Sequence, residues 1–407
     1  MAKKLTPLKK EAILRGVNSV PVKSLIGFIK STDCNLDEYI EHGLDSNKVE
    51  KIKKAFVEEE EEEVIEKKAT EIYEEINADK MIIQEIQQHL LYKHVTDEGL
   101  IENCDKIDEN ILKKLKKYKN PSISSENNKD PLQFGTDVFF YGKSSSGKTC
   151  VLASIFSYAN KKGILIDNYK ASIQGHKYKD IIVKELENGI LPRRTNATID
   201  AVTYISTTLK VNDNDHPLNF VEMSGEFFSN AALEFDGLDS SIDAHGYLSN
   251  KNKKIFFFVI DYQMHQDGEV GEGKTQEQEF NAISSLLDDY ESALDNTHCI
   301  YVIINKSDKF PSDCGDKNEF AKKYFIKNFA SVNTNLQDKK ARRKHKLDPK
   351  NPWLRVQHYS IGDFIFKNSY LKNLNYECPQ RIINSISKHI DTDRKDGFMD
   401  KLFKGND

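Results

Sequence analysis

The stretch GKSSSGKT, Gly142 to Thr149, decides how the rest of the chain is read. It follows the apolar run TDVFFY (136–141) directly. It opens onto CVLASIFSYA, where Val151, Leu152, Ile155 and Phe156 recur at helical spacing. A strand that delivers the backbone into a glycine turn, with a helix aimed back at that turn, presents successive N–H groups to an anion, and phosphate fits that geometry. Gly142 and Gly147 permit the turn and the close approach of backbone to phosphate. Lys148 would reach the β- and γ-phosphate oxygens, and the Thr149 hydroxyl would ligate Mg2+. Lys143, Ser144, Ser145, Ser146 and Cys150 complete the segment; the serines add hydroxyl donors or are merely small and flexible.

The same pattern recurs as GEVGEGKT, 268–275, but without the same setting. Six residues, YQMHQD, separate it from the end of its strand, so the sheet does not aim its backbone. Glu269 and Glu272 would add two like charges beside a polyphosphate, a repulsion of several kcal/mol at an effective dielectric of about 20. This second segment reads as a mobile surface loop.

Beyond residue 134 the chain alternates apolar runs with helical patterns. TDVFFY, TIDAVTYISTTLKV (198–211), LNFVEM (218–223), KIFFFVID (254–261), CIYVII (299–304) and RVQHYSI (355–361) are of strand type. Residues 148–161, 276–293, 318–344 and 379–390 are of helix type. The alternation predicts an α/β fold, a mostly parallel six-stranded sheet with helices on both faces. One connection, NDNDHP, is too short for a crossover helix, so the strands it joins should form an antiparallel hairpin.

A second signal follows the run CIYVII: NKSD, Asn305 to Asp308. A carboxylate that accepts from both N1–H and the exocyclic amine of guanine discriminates against adenine, which offers no such donor pair. With GxxxxGKT, then ExxG, then NKxD in this order, the chain from about 134 to 391 resembles a P-loop GTPase of the Ras-like, TRAFAC type. That resemblance implies binding of GTP and GDP with Mg2+ and hydrolysis of GTP. Asp308 would read the guanine, Asn305 would tie the base loop to the phosphate loop, and Lys306 would lie along the base. The family's last motif would fall at Ser360-Ile361; Ser360 also reads as an ordinary strand end.

The middle motif departs from the family's DxxG. Here it is EMSGE, Glu222 to Glu226. Glu222 would hold a Mg2+-bound water with its carboxylate one methylene further out, and Gly225 would donate its N–H to the γ-phosphate. Glu226 stands where many relatives orient the attacking water. As an anion there it acts as a base, or it repels the γ-phosphate and slows turnover, which favours weak hydrolysis that a partner stimulates. LPRRTNATID offers Thr195 and Thr198 for the family's switch threonine, a Mg2+ ligand; Thr195 is preferred because Thr198 already begins a strand. Arg193 and Arg194 read as solvated, or as a transition-state cation. The long stretch before them, about 160–190, gives a general likeness to large bacterial GTPases of the double-GTPase type.

The remaining segments carry less chemistry. Residues 1–119 are rich in Lys, Glu, Ile and Leu, with Ile72, Ile76, Ile82, Ile83, Ile86, Leu90 and Leu91 at helical spacing. This predicts an all-α N-terminal region, with Glu58 to Glu63 as a solvated face, that would engage an unidentified effector or activator. NPSISSENNKDP (120–131) reads as a linker before a GTPase domain at 132–392. In the tail, 393–407, Phe398, Met399, Leu402 and Phe403 stand at helical spacing and could dock on protein or weakly on a membrane. The basic run DKKARRKHK (338–346) reads as a solvated helix end. A formal charge of −5 on 407 residues argues against a nucleic-acid coat. The six scattered cysteines argue against a disulfide frame and for a reduced, cytoplasmic setting, and no run is long and apolar enough to span a membrane. Two other functions stay open: a P-loop ATPase in which Asp261 coordinates Mg2+, and a nucleotide-binding scaffold with little hydrolysis.

Overall fold

The structure is a computed structural model, and it describes residues 17–31, 36–41, 43–117, 135–192, 202–211, 214–223, 248, 250–269, 274–289, 291–343 and 352–403. The chain divides into two compact units, Met1–Lys116 and Lys117–Asp407.

The first unit is helical: α1 (Val22–Ser31), α2 (Leu36–Glu41), α3 (Ser46–Asn77), α4 (Ile83–Leu91), α5 (Asp97–Asn103) and α6 (Glu109–Lys117). Two of its helices, α3 and α5, start on side-chain caps. Asp45 accepts from the N–H groups of Asn47 and Lys48, and Thr96 accepts from Gly99, each satisfying a donor with no intrahelical partner. Ile72, Ile76, Ile83 and Ile86 are buried as their spacing predicts, whereas Leu91, the last residue of α4, is exposed. The run Glu58 to Glu63 lies within α3.

The second unit is α/β. Its strands are β1 (Thr136–Tyr141), β2 (Leu165–Asp167), β3 (Val202–Val211), β4 (Asn214–Met223), β5 (Lys253–Asp261), β6 (Thr297–Asn305) and β7 (Leu354–His358), in the order β2-β3-β4-β1-β5-β6-β7. β1 pairs in parallel with β4 and β5, and β5–β6 and β6–β7 are also parallel. β3 runs antiparallel to both neighbours. All six expected strands are present, and β2 is an addition at the edge. Its three residues, Leu-Ile-Asp, are too few for alternation to register in the sequence.

The hairpin is tighter than NDNDHP suggests, because Val211 already pairs with Asn214. Pro217 lies within β4, opposite Thr208. It is tolerated because pairing with β1 begins only at Leu218, so the missing N–H removes no bond on that side.

Helices cover both faces. One face packs Val138, Phe140, Phe220, Phe257, Val259 and Tyr301 under α7 (Lys148–Lys162), α8 (Ile173–Glu187) and α14 (Glu377–Phe403). On that face Phe140, Phe257 and Tyr301 stack at 4.8 and 4.7 Å, each pair adding about 0.5–1.5 kcal/mol beyond its buried area. The other face packs Phe139, Val221, Phe258, Ile260 and Val302 under α10 (Gln276–Asp289), α12 (Lys317–Asn328) and α13 (Ala330–Arg342). Short helices α9 (Tyr262–Gln266) and α11 (Glu291–Asn296) fill the connections, and β8 (Gly362–Ile365) with β9 (Tyr370–Leu374) forms a separate antiparallel pair.

The expected helix at 318–344 is broken at Phe329, where the backbone leaves helical geometry at φ −127° and ψ 46° and the ring is fully buried. Parallel pairing brings the C-terminal ends of β1, β4, β5, β6 and β7 to one edge of the sheet, where open α/β sheets take their ligands. Among the described residues no helix is long and apolar enough to cross a membrane.

Candidate functional site

The loop 142–147 leaves β1 at that edge and turns into α7. Gly142 has φ 156°, Ser145 φ 67° and Gly147 φ 88°. Two of these positions admit no side chain. A Cβ on Gly142 would meet the Val259 carbonyl oxygen at 2.5 Å, and one on Gly147 would meet Asn305 Nδ2 at 2.4 Å. Ser146 is fully buried, and its hydroxyl has no hydrogen-bond partner. Ser144 is half-buried, Ser145 is exposed, and Cys150 packs against the core, where burial pushes its thiol up to about 12.

Lys148 is buried at the start of α7. Its ammonium donates to the carbonyl oxygens of Gly142 at 2.6 Å and Lys143 at 3.1 Å. Burial lowers its pKa to about 8, against the pull of the Glu222 and Glu279 carboxylates.

Beside it, the Thr149 hydroxyl donates to Glu222 Oε1 at 2.5 Å. Glu222 ends β4 on the face that carries Phe220, which points it at α7 and α8. Its other oxygen accepts from the Tyr178 hydroxyl at 2.6 Å. Burial raises its pKa, while the hydrogen bonds from Thr149 and Tyr178 and the Lys148 charge oppose that rise. The extra methylene of Glu over Asp thus carries the carboxylate as far as the Thr149 hydroxyl.

The NKSD segment abuts the loop. Asn305, at the end of β6, donates through Nδ2 to the Ser146 carbonyl at 2.9 Å. Lys306 turns into left-handed geometry, φ 60°, and its ammonium sits 2.6 Å from Asp261 Oδ2 at the end of β5. The other Asp261 oxygen caps α9 by accepting from the Met264 N–H. Asp308 lies 3.5 Å from the Ser360 hydroxyl and 3.8 Å from the Lys309 ammonium. Ser360 also bonds both the N–H and the carbonyl of Gly362, while Ile361 is buried in the core.

Three side chains with no motif to mark them complete the surroundings. Tyr178 comes from α8. His358, at the end of β7, is held between Ser307 and Arg381 at 3.0 Å each. Arg has only donors, so Nε2 accepts and Nδ1–H donates to the Ser307 hydroxyl. Burial and the charges of Arg381 and Lys317 push His358 down to about 4. Gln276 clasps Asp261 through its backbone N–H and C=O at 2.7 and 3.1 Å.

Of the second glycine segment, residues 270–273 lie outside the described residues, while Glu269 turns its side chain inward. The Glu269 side chain is only 7% exposed; it accepts from the Gln276 N–H at 2.7 Å and lies 3.6 Å from Lys143 Nζ. Lys143 also donates to the Lys274 carbonyl at 2.9 Å. A lysine of the first loop supplies the countercharge that draws Glu269 inward.

Thr195, Thr198, Arg193, Arg194, Gly225 and Glu226 lie outside the described residues. Phosphate fits what is present: a loop whose glycines allow close approach, a buried unpartnered hydroxyl at Ser146, and an ammonium now bonded only to carbonyls of the same loop. Among the described residues no cluster of three His, Cys, Asp or Glu could hold a metal unaided. One hydroxyl and one carboxylate in contact, as in Thr149 and Glu222, suit Mg2+, which keeps several waters and takes its remaining ligands from phosphates.

No family model and no curated protein matches the chain. Among solved structures it is similar to a nucleolar GTP-binding protein 1 from Plasmodium falciparum, with 11% identity over 67% of this chain and 95% of that one and a TM-score of 0.31. It is also similar to a Roco2 structure of Methanosarcina barkeri bound to GDP, with 14% identity over 66% of this chain and 52% of that one and a TM-score of 0.27. A structure of Sup35 complexed with GDP aligns with 12% identity over 61% of this chain and 41% of that one, at a TM-score of 0.26. With scores of this size, the fold assignment rests on the strand order and register described above.

Proposed function

We propose that the chain is a guanine-nucleotide-binding protein that hydrolyses GTP to GDP and phosphate with Mg2+, slowly until a partner stimulates it. The observation that carries this reading is the Asn305 side chain bonded to the Ser146 carbonyl. It ties the phosphate loop directly to the strand end from which the Asp308 segment leaves.

In this reading the N–H groups of 142–149 cradle the phosphates, and Lys148 exchanges its carbonyl partners for β- and γ-phosphate oxygens. Thr149 supplies the hydroxyl ligand to the cation, and Glu222 orients water in its shell. Mg2+, when bound, would offset the charge that develops on the phosphates. Asp308 accepts from guanine, with Ser360 beside it. Thr195 would be a further ligand, Gly225 a donor to the γ-phosphate, and Glu226 the group nearest the attacking water.

A P-loop ATPase built on Asp261 finds less support. That carboxylate is fully buried, with one oxygen on Lys306 and the other on a helix cap. The helical N-terminal unit is the proposed contact for an effector or activator, and the tail a weak peripheral one.

Competition of GTP, GDP and ATP for the purified protein tests the base, with GTP and GDP expected to win. Asp308→Asn is expected to lose guanine affinity and gain xanthine affinity, because the xanthine ring presents an acceptor at the matching position. Unchanged GTP affinity in that variant would remove Asp308 from the site. Unaided turnover is expected below about 1 s⁻¹, the low end for enzymes; faster turnover would remove the partner-stimulated part.

A further inference from the structure

The Glu222 carboxylate has both oxygens held, and only one holder belongs to the phosphate-loop helix. Thr149 takes Oε1, and Tyr178 takes Oε2. Tyr178 sits on α8, within the long stretch between the phosphate helix and the β3–β4 hairpin. The helix is brought close by Gly175, one turn earlier on the same face. A Cβ at Gly175 would lie 2.0 Å from the Tyr204 carbonyl of β3, so the helix backbone rests almost directly on the strand. The Tyr178 ring is buried among the core residues of that face, and its hydroxyl donates to Glu222 Oε2.

A glutamate has one more torsion than an aspartate and loses more rotamer freedom when it is fixed. Held by Thr149 alone, it could pivot about the single bond. A hydroxyl on a rigid helix, fixing the second oxygen, removes that freedom. Groups that hydrogen-bond a metal's carboxylate in this way orient it and tune its hold on the ion.

We propose that Tyr178 is a positioning residue for Mg2+: it holds the Glu222 carboxylate in the one orientation from which it can support the cation beside Thr149. It substitutes, from a part of the chain remote in sequence, for the shorter reach of an aspartate. This rests on the nucleotide-binding reading above.

The test is a titration of Mg2+ against fluorescent GDP on the full chain, with affinity in excess EDTA measured alongside. In Tyr178→Phe the Mg2+ half-saturation is expected to rise about ten-fold, the lower end for loss of such an outer contact. Affinity in EDTA stays as in the parent protein, and the melting temperature falls by only a few degrees as the buried carboxylate loses one hydrogen bond. In a Glu222→Asp background the same substitution is expected to add no further rise, because the shorter carboxylate no longer reaches the tyrosine.

An unchanged Mg2+ profile with GDP binding retained overturns the assignment. A parallel fall in EDTA affinity and melting temperature does the same, since it marks a packing role. An equal rise in both backgrounds also overturns it. Failure of the parent protein to bind GDP at all overturns the nucleotide reading and this inference with it.

Discussion

At His358 the protein keeps an imidazole neutral where it would ordinarily charge. An imidazole usually takes a proton near pH 6.5, whereas His358 does so only near 4, because burial and the facing Arg381 and Lys317 disfavour a second N–H. As pH falls the unfolded chain binds that proton first. The associated stability is therefore present above pH 6.5 and is lost between 6.5 and 4, by about 1–2 kcal/mol at pH 5. His358→Gln is expected to flatten this loss; melting curves at pH 8 and pH 5 for both proteins check it, and equal losses would assign the effect elsewhere. Residues of this kind differ in how far they can be read without a fold. Lys148, Asn305 and Asp308 are legible because each sits at a fixed offset from a strand that its own apolar run announces. His358 and Tyr178 are not, because their partners lie 51 and 44 residues away and only the packing of the folded chain brings them together. The burial of Glu269 was hidden for the same reason: Lys143, its countercharge, is far away in sequence.

Among the elements, the central strands are the most legible. Parallel strands covered on both faces are apolar nearly throughout, and KIFFFVID and CIYVII show it. The edge strand β2 buries only Leu165 of its three residues and leaves no such trace. The break between α12 and α13 is equally silent, since no Gly or Pro marks it in 318–344. The approach of α8 to β3 makes a sharp prediction. In Gly175→Ala the new methyl meets a backbone oxygen at 2.0 Å, and neither the strand nor the helix can rotate away as a side chain could. The variant is expected to lose about 3 kcal/mol of stability, the upper range for overpacking, read from denaturant midpoints at unchanged slope. A loss under 0.5 kcal/mol would mean that the helix rides on the strand more loosely than this contact implies.

At the scale of the molecule, the division into Met1–Lys116 and Lys117–Asp407 predicts two calorimetric transitions. The proposed ligand touches residues of the second unit alone. GDP at 100 times its dissociation constant should therefore stabilise that transition by about 2.7 kcal/mol and leave the other where it was. A single transition moving as a whole would show that the units unfold as one. The β3–β4 hairpin of the second unit sets a further constraint. Glu222 is locked in register opposite Thr203 on one side and Phe140 on the other. Strand side chains alternate, so a slip of one position would swing this carboxylate through the sheet to the layer that holds Val221. A slip of two would restore the face but carry the group a full pleat away from Thr149. Sliding of this strand therefore cannot act as a dial; it works as a detent, with the acid either seated or gone.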